Sequence, residues 1–229
     1  MDKKRKIIVT IDGPAGSGKS SVARETATKL GYRYLDSGAL YRCVALYTLD
    51  TGANLDDSAI CAKISSKIEI EFVPDAEGQR TLLNGEDVSF RIRSPEVSSA
   101  ASRISAYKSV RDALFAKQRL MGSGGGLVAE GRDMGTVVFP EAEAKFFLTA
   151  SVEERAKRRY DELKAKGIDV EFEAILKEQE ERDKRDSERD VAPLRPAPDA
   201  QVIDTTALTL EQVIDKVYDE SLKKISGKS

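Results

Sequence analysis

Hydrophobic residues in this chain form short continuous runs that alternate with stretches of helical periodicity. The first run predicts a strand at residues 6–11, and the helical stretch after it places Val22, Ala23, Ala27 and Leu30 on one stripe. Uninterrupted apolar runs are typical of strands buried on both faces, and strand–helix alternation is typical of a parallel sheet. The pattern therefore predicts an α/β fold, a five-stranded parallel sheet covered by helices on both faces. The other four strands are predicted at residues 32–35, 127–129, 144–148 and 201–206.

The stretch between Lys67 and Phe90 departs from this alternation. Residues 68–73 alternate apolar and charged side chains with period two, which is typical of a half-exposed strand. A second strand at residues 80–83 follows, with a hairpin signal at Asn84-Gly85. These features predict a small antiparallel β insert. The insert is either a decoration of the fold or a mobile flap that closes over a second substrate.

Two strongly charged helices are predicted between residues 151 and 190, joined by a turn at Gly167. Mixed charges on a helix usually form a solvated face with ion pairs four residues apart. Arginine, however, binds pairs of phosphate oxygens through its planar fork. The two helices are therefore either a solvated surface or a helical lid that brings arginines onto phosphates.

Composition limits the classes of function. The 229 residues carry a formal net charge of −2, so no overall basic field favours nucleic acid as a partner. No apolar run is long enough to span a membrane, and Cys43 and Cys61 fit reduced thiols better than a disulfide framework. The sequence contains no histidine, so histidine can serve neither as general base nor as metal ligand. Catalysis must then rest on positioning, cations and carboxylates.

The segment between the first strand and the first helix matches the phosphate-binding pattern G-x-x-x-x-G-K-[ST]. Glycines let the backbone wrap a phosphate chain, and N–H groups at the start of the helix point at the anion. We expect Lys19 to reach the β- and γ-phosphates and the Ser20 hydroxyl to ligate Mg²⁺. The segment therefore predicts a site for ATP or GTP. Its predicted nucleotide-binding residues are Gly13, Pro14, Ala15, Gly16, Ser17, Gly18, Lys19, Ser20 and Ser21.

A second set of polar residues comes from later loops and helices, several of them at carboxyl ends of predicted strands, where open parallel sheets bind ligands. Asp36-Ser37 follows the second strand and could cap the next helix or touch a ligand. Arg132-Asp133 follows the strand at residues 127–129 and could be a local salt bridge or a binding pair. A triphosphate site beside a second polar site indicates phosphoryl transfer between two bound molecules. The second set is Ser37, Arg42, Ser102, Arg111, Arg132 and Asp133.

The absence of histidine bears on the acceptor. A hydroxyl acceptor usually needs a positioned base, whereas a phosphate acceptor is already largely ionised at pH 7, since its second pKa is about 6. A phosphate needs only cations that hold it in line and spread the charge. The composition thus favours a nucleotide or another phosphate as acceptor, although an aspartate could also serve as a base.

Longer motifs extend these observations. Residues 11–16 read IDGPAG, residues 35–42 read LDSGALYR, and residues 131–140 read GRDMGTVVFP. Arg182-Asp183 through Arg189, followed by Ala192-Pro193-Leu194, completes the set. With these motifs nearly the whole chain resembles the bacterial cytidylate kinases. The resemblance implies a P-loop nucleoside monophosphate kinase fold and an Mg²⁺-dependent enzyme that transfers the γ-phosphoryl group of ATP to CMP or dCMP.

The resemblance also implies roles for individual residues. Asp133 would accept a hydrogen bond from the amino group of cytosine, and Arg111 and Ser102 would donate to its acceptor edge. Uracil has a carbonyl at the position of that amino group and would leave Asp133 unpaired. Arg42, Arg132 and Arg189 would clamp the acceptor phosphate, whereas Arg182 and Asp186 would face the ribose. Asp36 and Ser37 complete the substrate-binding set; the implied catalytic residues are Lys19, Arg132, Arg155, Arg159 and Arg189, and Ser20 is the implied metal ligand.

The same resemblance implies one kinase domain with three parts. These are a core at about residues 1–55, 107–150 and 191–229, a monophosphate-binding insert at about 56–106, and a lid at about 151–190. It further implies a cytoplasmic enzyme whose partners are CMP, dCMP and ATP. Charge balance and the lack of a long apolar run predict neither nucleic acid nor membrane as a partner, and we expect a monomer. Two other functions stay open from the residues themselves. One is a P-loop kinase for another small acceptor, and the other is a regulatory P-loop NTPase, although the guanine motif N-K-x-D is absent from the sequence.

Overall fold

A computed structural model describes residues 6–75, 78–165 and 167–227. Its strands are β1 (Ile8–Asp12), β2 (Arg33–Asp36), β3 (Ile70–Asp75), β4 (Gly78–Leu83), β5 (Glu86–Asp87), β6 (Leu127–Gly131), β7 (Ala144–Thr149) and β8 (Gln201–Asp204). Its helices are α1 (Lys19–Leu30), α2 (Ser37–Asp50), α3 (Ser58–Lys67), α4 (Pro95–Ile104), α5 (Lys108–Gly122), α6 (Val152–Ala165), α7 (Phe172–Glu188) and α8 (Leu210–Ile225). Within the described residues, no helix is long and apolar enough to cross a membrane.

Five strands form one sheet in the order β2-β6-β1-β7-β8, and the pairings of β1 with β6 and β7 and of β7 with β8 are parallel. A separate antiparallel sheet has the order β3-β4-β5. The predicted fold class is therefore confirmed. Each predicted strand of the main sheet lies within two residues of the observed one at either end.

The chain divides into two compact units, and each is described by itself. The first unit comprises residues 1–34 and 124–229. Its core lies between β1, β7, α1 and α8, where Val9, Ile11, Leu148 and Val217 are fully buried. Burial of such side chains stabilises the sheet by about 2 kcal/mol each.

Register within the first unit determines where its polar residues emerge. Asp12 in β1 is the register partner of Gly131 in β6. Because the two strands are parallel and paired at their last residues, the segments that begin at Gly13 and Arg132 leave the sheet at the same edge.

The second unit comprises residues 35–123. In it α2 packs against α4, and α3 packs against α5, with Leu40, Ile92, Ile104 and Leu114 fully buried. The small antiparallel sheet also belongs to this unit. The division into core, insert and lid that the sequence suggests stays a prediction.

The strand expected at residues 68–73 is present as β3 and lies two residues further along the chain, because Ile68 ends α3 and its N–H donates to the carbonyl of Ile64. Residues Met134–Val138, for which the sequence pattern indicated no regular element, form a π-helical turn. This rare geometry depends on a contact with β1 that is distant in sequence, so the local sequence pattern did not reveal it.

Candidate active site

The loop between β1 and α1 forms a tight cradle. Gly13 has φ +152°, and a Cβ there would lie 2.1 Å from the carbonyl oxygen of Leu148. Gly16 has φ +77°, and a Cβ there would lie 2.9 Å from Cβ of Arg155. The Ser17 hydroxyl donates to the carbonyl of Pro14 at 3.0 Å, which closes the loop on itself. The loop therefore holds its shape before any ligand arrives, as a pre-organised anion site requires.

Lys19 is the buried cation of this cradle. Its Nζ donates to the carbonyl of Pro14 at 2.8 Å. Burial, helped by the positive charges of Arg132 and Arg182, lowers the pKa of Lys19 to about 7, although Glu130 and Asp186 act in the opposite direction. An amine with a lowered pKa in a buried site gains much from a phosphate that replaces its lost hydration.

The lowered pKa of Lys19 predicts proton uptake on ATP binding. At pH 8 most free molecules carry a neutral amine, and the bound phosphates restore its charge. At pH 6 the amine is already protonated. At pH 8 the terminal phosphate of ATP is already ionised, so it releases no proton that would mask uptake by Lys19. We therefore expect ATP binding to be accompanied by uptake of about one proton at pH 8 and of less towards pH 6. Calorimetry in buffers of different ionisation enthalpy measures it; equal uptake by wild type and Lys19→Met at pH 8 would contradict the prediction.

Ser20 and Ser21 continue the first turn of α1 from Lys19. Ser20 is exposed and Ser21 is half-buried. Nucleotide-bound Mg²⁺ usually takes one or two protein oxygen ligands and completes its shell with phosphates and water. A single accessible hydroxyl at Ser20 therefore fits that ion.

Charged residues of both signs lie at the end of β6. Glu130 is buried and accepts a hydrogen bond of 2.6 Å from the Tyr34 hydroxyl. Nε of Arg132 donates to Oδ2 of Asp186 at 2.8 Å. Burial alone would raise the pKa of Asp186, but the Arg132 guanidinium holds it below its usual value. Asp133 is 3% exposed.

The arginines of α6 and α7 divide into different environments. Arg155 is buried and donates to the carbonyls of Ala150 at 3.0 Å and Ala15 at 3.2 Å. The same guanidinium pairs with both carboxylate oxygens of Asp183. Arg155 therefore fastens the cradle to α7. Arg159 instead pairs with Glu162 on its own helix at 2.8 Å.

Two further arginines lie towards the end of α7. Arg182 and Arg189 both lower the pKa of Asp186 through their charge. Nε of Arg189 also donates to the carbonyl of Ala192 at 2.7 Å, where Ala192 adopts φ +51°. In the first unit the structure thus brings together the charges of Lys19, Arg132, Arg182 and Asp186.

The second unit contains the remaining predicted residues. Asp36 caps α2 by accepting from the Ala39 N–H at 2.9 Å, and it also pairs with Arg42 at 2.7 Å. Ser37 is buried as the first residue of α2. The capping role that the sequence left open for Asp36 is therefore present, and its pairing with Arg42 orients that guanidinium.

Arg111 and Ser102 have contrasting surroundings in the same unit. The Arg111 guanidinium lies 5.5 Å from the ring centroid of Tyr41 and donates to the carbonyl of Ser105 at 3.1 Å. The hydroxyl oxygen of Ser102 is buried and has no hydrogen-bond partner. A buried hydroxyl without a partner is costly, and a ligand could supply that partner. Tyr41 was not among the predicted site residues, although it directly precedes Arg42.

Two comparisons with known proteins identify the family, and a third concerns the fold. The family model described as cytidylate kinase matches residues 9–223. A cytidylate kinase from Vibrio cholerae is 49% identical over 209 residues, covering 91% of this chain and 93% of the relative. One from Aeromonas hydrophila is 51% identical over 207 residues, covering 90% of each chain. The crystal structure of an uncharacterized protein from Eubacterium ventriosum superposes with a TM-score of 0.51 at 14% identity, covering 97% of this chain and 99% of that one; this likeness concerns the fold alone.

Proposed function

The chain belongs to the cytidylate kinase family and phosphorylates CMP with ATP, and we propose how its residues divide this task, with dCMP as a second acceptor and Mg²⁺ as cofactor. The observation that carries the proposal is the common sheet edge from which the cradle and the Arg132-Asp133 segment emerge. A site for a triphosphate donor and residues suited to a second nucleotide thus lie in one unit.

The cradle binds the donor. Residues 13–21 surround the phosphates of ATP, with backbone N–H groups from every residue but Pro14, and Lys19 contacts the β- and γ-phosphates. Arg155 donates to the Ala15 carbonyl of this loop, so we assign it the role of positioning the loop. We assign Arg159 to contact with the donor phosphates. Ser20 supplies the protein ligand to Mg²⁺, which would neutralise charge on the β- and γ-phosphates.

Different residues bind the phosphate, the ribose and the base of the acceptor. Its phosphate is bound by Arg42, Arg132 and Arg189, because guanidinium forks match phosphate oxygens in pairs. Its ribose hydroxyls are bound by Arg182 and Asp186. Its cytosine ring is bound by Asp133, Arg111 and Ser102. Asp36 and Ser37 complete the proposed substrate-binding set, and Asp36 also orients Arg42.

Transfer then requires no proton relay. An oxygen of the acceptor phosphate attacks the γ-phosphorus in line, a new P–O bond forms, and the bond to the β–γ bridging oxygen breaks. The electron pair of that broken bond leaves with ADP. Lys19 and Arg132 stabilise the charge that develops on the transferred group, which is the main contribution a protein makes to this reaction.

An acceptor panel tests the proposal. With ATP and Mg²⁺, we expect kcat/KM for CMP and dCMP to exceed that for UMP and AMP by about a hundredfold or more, since a mismatched base leaves a buried group unpaired. Shikimate in the same assay tests the alternative kinase class. Hydrolysis of ATP without acceptor that outpaces transfer would support a regulatory NTPase instead, and preference for any other acceptor would overturn the assignment of Asp133.

A further inference from the structure

Asp12 makes a contact that the donor and acceptor roles above do not use. It is the last residue of β1 and is 4% exposed. Its Oδ1 accepts from the Met134 N–H at 2.9 Å, and its Oδ2 accepts from the Gly135 N–H at 2.7 Å. These are the first two N–H groups of the π-helical turn, which lack partners within the turn. A carboxylate 122 residues away in sequence therefore caps the turn.

The cap determines the backbone on which Asp133 sits. The N–H of the peptide between Asp133 and Met134 donates to Asp12, and the carbonyl of the same peptide accepts from Val137 and Val138 at 2.9 and 3.1 Å. That peptide is thus held at both ends. Asp133 itself has φ −148° and ψ 21°, outside the regular helix and strand regions. Such a conformation persists only where its surroundings impose it.

Close packing makes the attachment rigid. A Cβ on Gly135 would lie 2.9 Å from Oγ1 of Thr10 and 3.4 Å from Oδ2 of Asp12. The turn therefore packs closely on β1, and a side chain at position 135 would push against Thr10. The next residue after Asp12 is Gly13, the first residue of the cradle. One side chain consequently joins the start of the phosphate loop to the backbone beside Asp133.

We propose that Asp12 is a positioning residue for acceptor selection. By holding the backbone beside Asp133, it fixes the position from which the Asp133 carboxylate distinguishes the amino group of cytosine from the carbonyl of uracil. This inference rests on the proposed role of Asp133. Asp12 is assigned no contact with either nucleotide. It acts on Asp133 chiefly through the Met134 and Gly135 N–H groups, although the charges of the two carboxyl groups also interact.

Asp12→Asn tests the proposal by steady-state kinetics with CMP and UMP. Asparagine offers one acceptor oxygen in place of two, so either the Met134 or the Gly135 N–H faces the amide nitrogen and loses its hydrogen bond. The π-helical turn is then expected to shift. We expect the ratio of kcat/KM for CMP to that for UMP to fall about tenfold or more, while the KM for ATP changes less than about threefold. A ratio within about twofold of wild type in the folded variant overturns the proposal.

Two control variants separate positioning from general destabilisation. Asp57→Asn also alters a carboxylate that caps two N–H groups, but both bonds go to one oxygen, Oδ1, which asparagine keeps. Val217→Ala opens a cavity in the buried core of the first unit. We expect both variants to keep the wild-type ratio of kcat/KM for CMP to that for UMP. If Val217→Ala lowers this ratio as Asp12→Asn does, the proposal is overturned, because the effect would then follow stability alone.

A second route avoids the loss of the carboxylate, should Asp12→Asn fail to fold. Gly135→Ala pushes against Oγ1 of Thr10 at 2.9 Å and so lifts the turn from β1. We expect Gly135→Ala to lower the CMP:UMP ratio and the double variant with Thr10→Ala to restore it. An unchanged ratio in Gly135→Ala overturns the proposal. Asp133→Ala in the same assay separates the proposed role of Asp133 from that of Asp12. If Asp133→Ala leaves the ratio unchanged, the proposed role of Asp133 fails. A ratio that is lowered only by Asp133→Ala contradicts the role of Asp12.

Discussion

Lys19→Ala is expected to lower kcat about a thousandfold, which corresponds to roughly 4 kcal/mol of transition-state stabilisation. The size of the effect follows from the site, because Lys19 is buried and lies beside the Pro14 carbonyl inside the cradle. Charge that develops on the transferred phosphoryl group in such a water-poor site cannot be compensated by solvent. Single-turnover rates with ATP and CMP measure the loss directly.

Matched variants make this expectation specific. Lys19→Met keeps most of the side-chain volume and should lose about as much activity as Lys19→Ala, since charge rather than packing is removed. Lys29→Met removes a lysine from the last turn of the same helix, where it pairs with Asp215 at 2.6 Å on the surface. An exposed pair contributes little, so this variant should retain activity. Near-normal turnover by Lys19→Met would exclude Lys19 from the mechanism.

Asp133→Ala is expected to lower kcat/KM for CMP about a hundredfold while leaving the affinity for ATP within about threefold of wild type. Asp133 is 3% exposed, so in its proposed role its removal would leave the amino group of cytosine without an acceptor in a buried site. UMP loses no hydrogen bond in the same variant, so the preference for CMP should relax. Steady-state kinetics give kcat/KM for CMP and for UMP, and an ATP titration gives the affinity for ATP.

Asp133→Asn sharpens the prediction. Its amide can donate to the uracil carbonyl, so we expect this variant to accept UMP better than Asp133→Ala does. Asp161→Ala, which removes a surface carboxylate paired with Lys157 at 2.8 Å, serves as the control and should keep both substrates unchanged. Collapse of ATP affinity in Asp133→Ala would mean that Asp133 belongs to the donor half of the site.

The cradle could be recognised from the sequence because its chemistry is local. Glycine spacing, Lys19 and the flanking strand and helix lie within about twenty consecutive residues, and the structure agrees with that pattern. The α/β class followed from hydrophobic runs for the same reason, since a strand buried on both faces requires apolar residues throughout.

Arg155 illustrates what sequence could not decide. Its place among other arginines of α6 suggested contact with phosphate, but its guanidinium lies against the Ala15 carbonyl and Asp183. Arg158, one turn away, bonds to Thr205 instead. Arginines on the same face of one helix thus bond to different partners, and only tertiary packing determines which of them meet a ligand.

The sequence by itself therefore determined the sheet, the phosphate loop and the family, because each depends on neighbouring residues and on periodic burial. Tertiary structure alone decided that Asp12 caps the turn beside Asp133 and that Asp36 holds Arg42 while capping α2. The capping of the turn by Asp12 joins residues more than a hundred positions apart, and its strength comes from buried hydrogen bonds whose geometry no local pattern specifies.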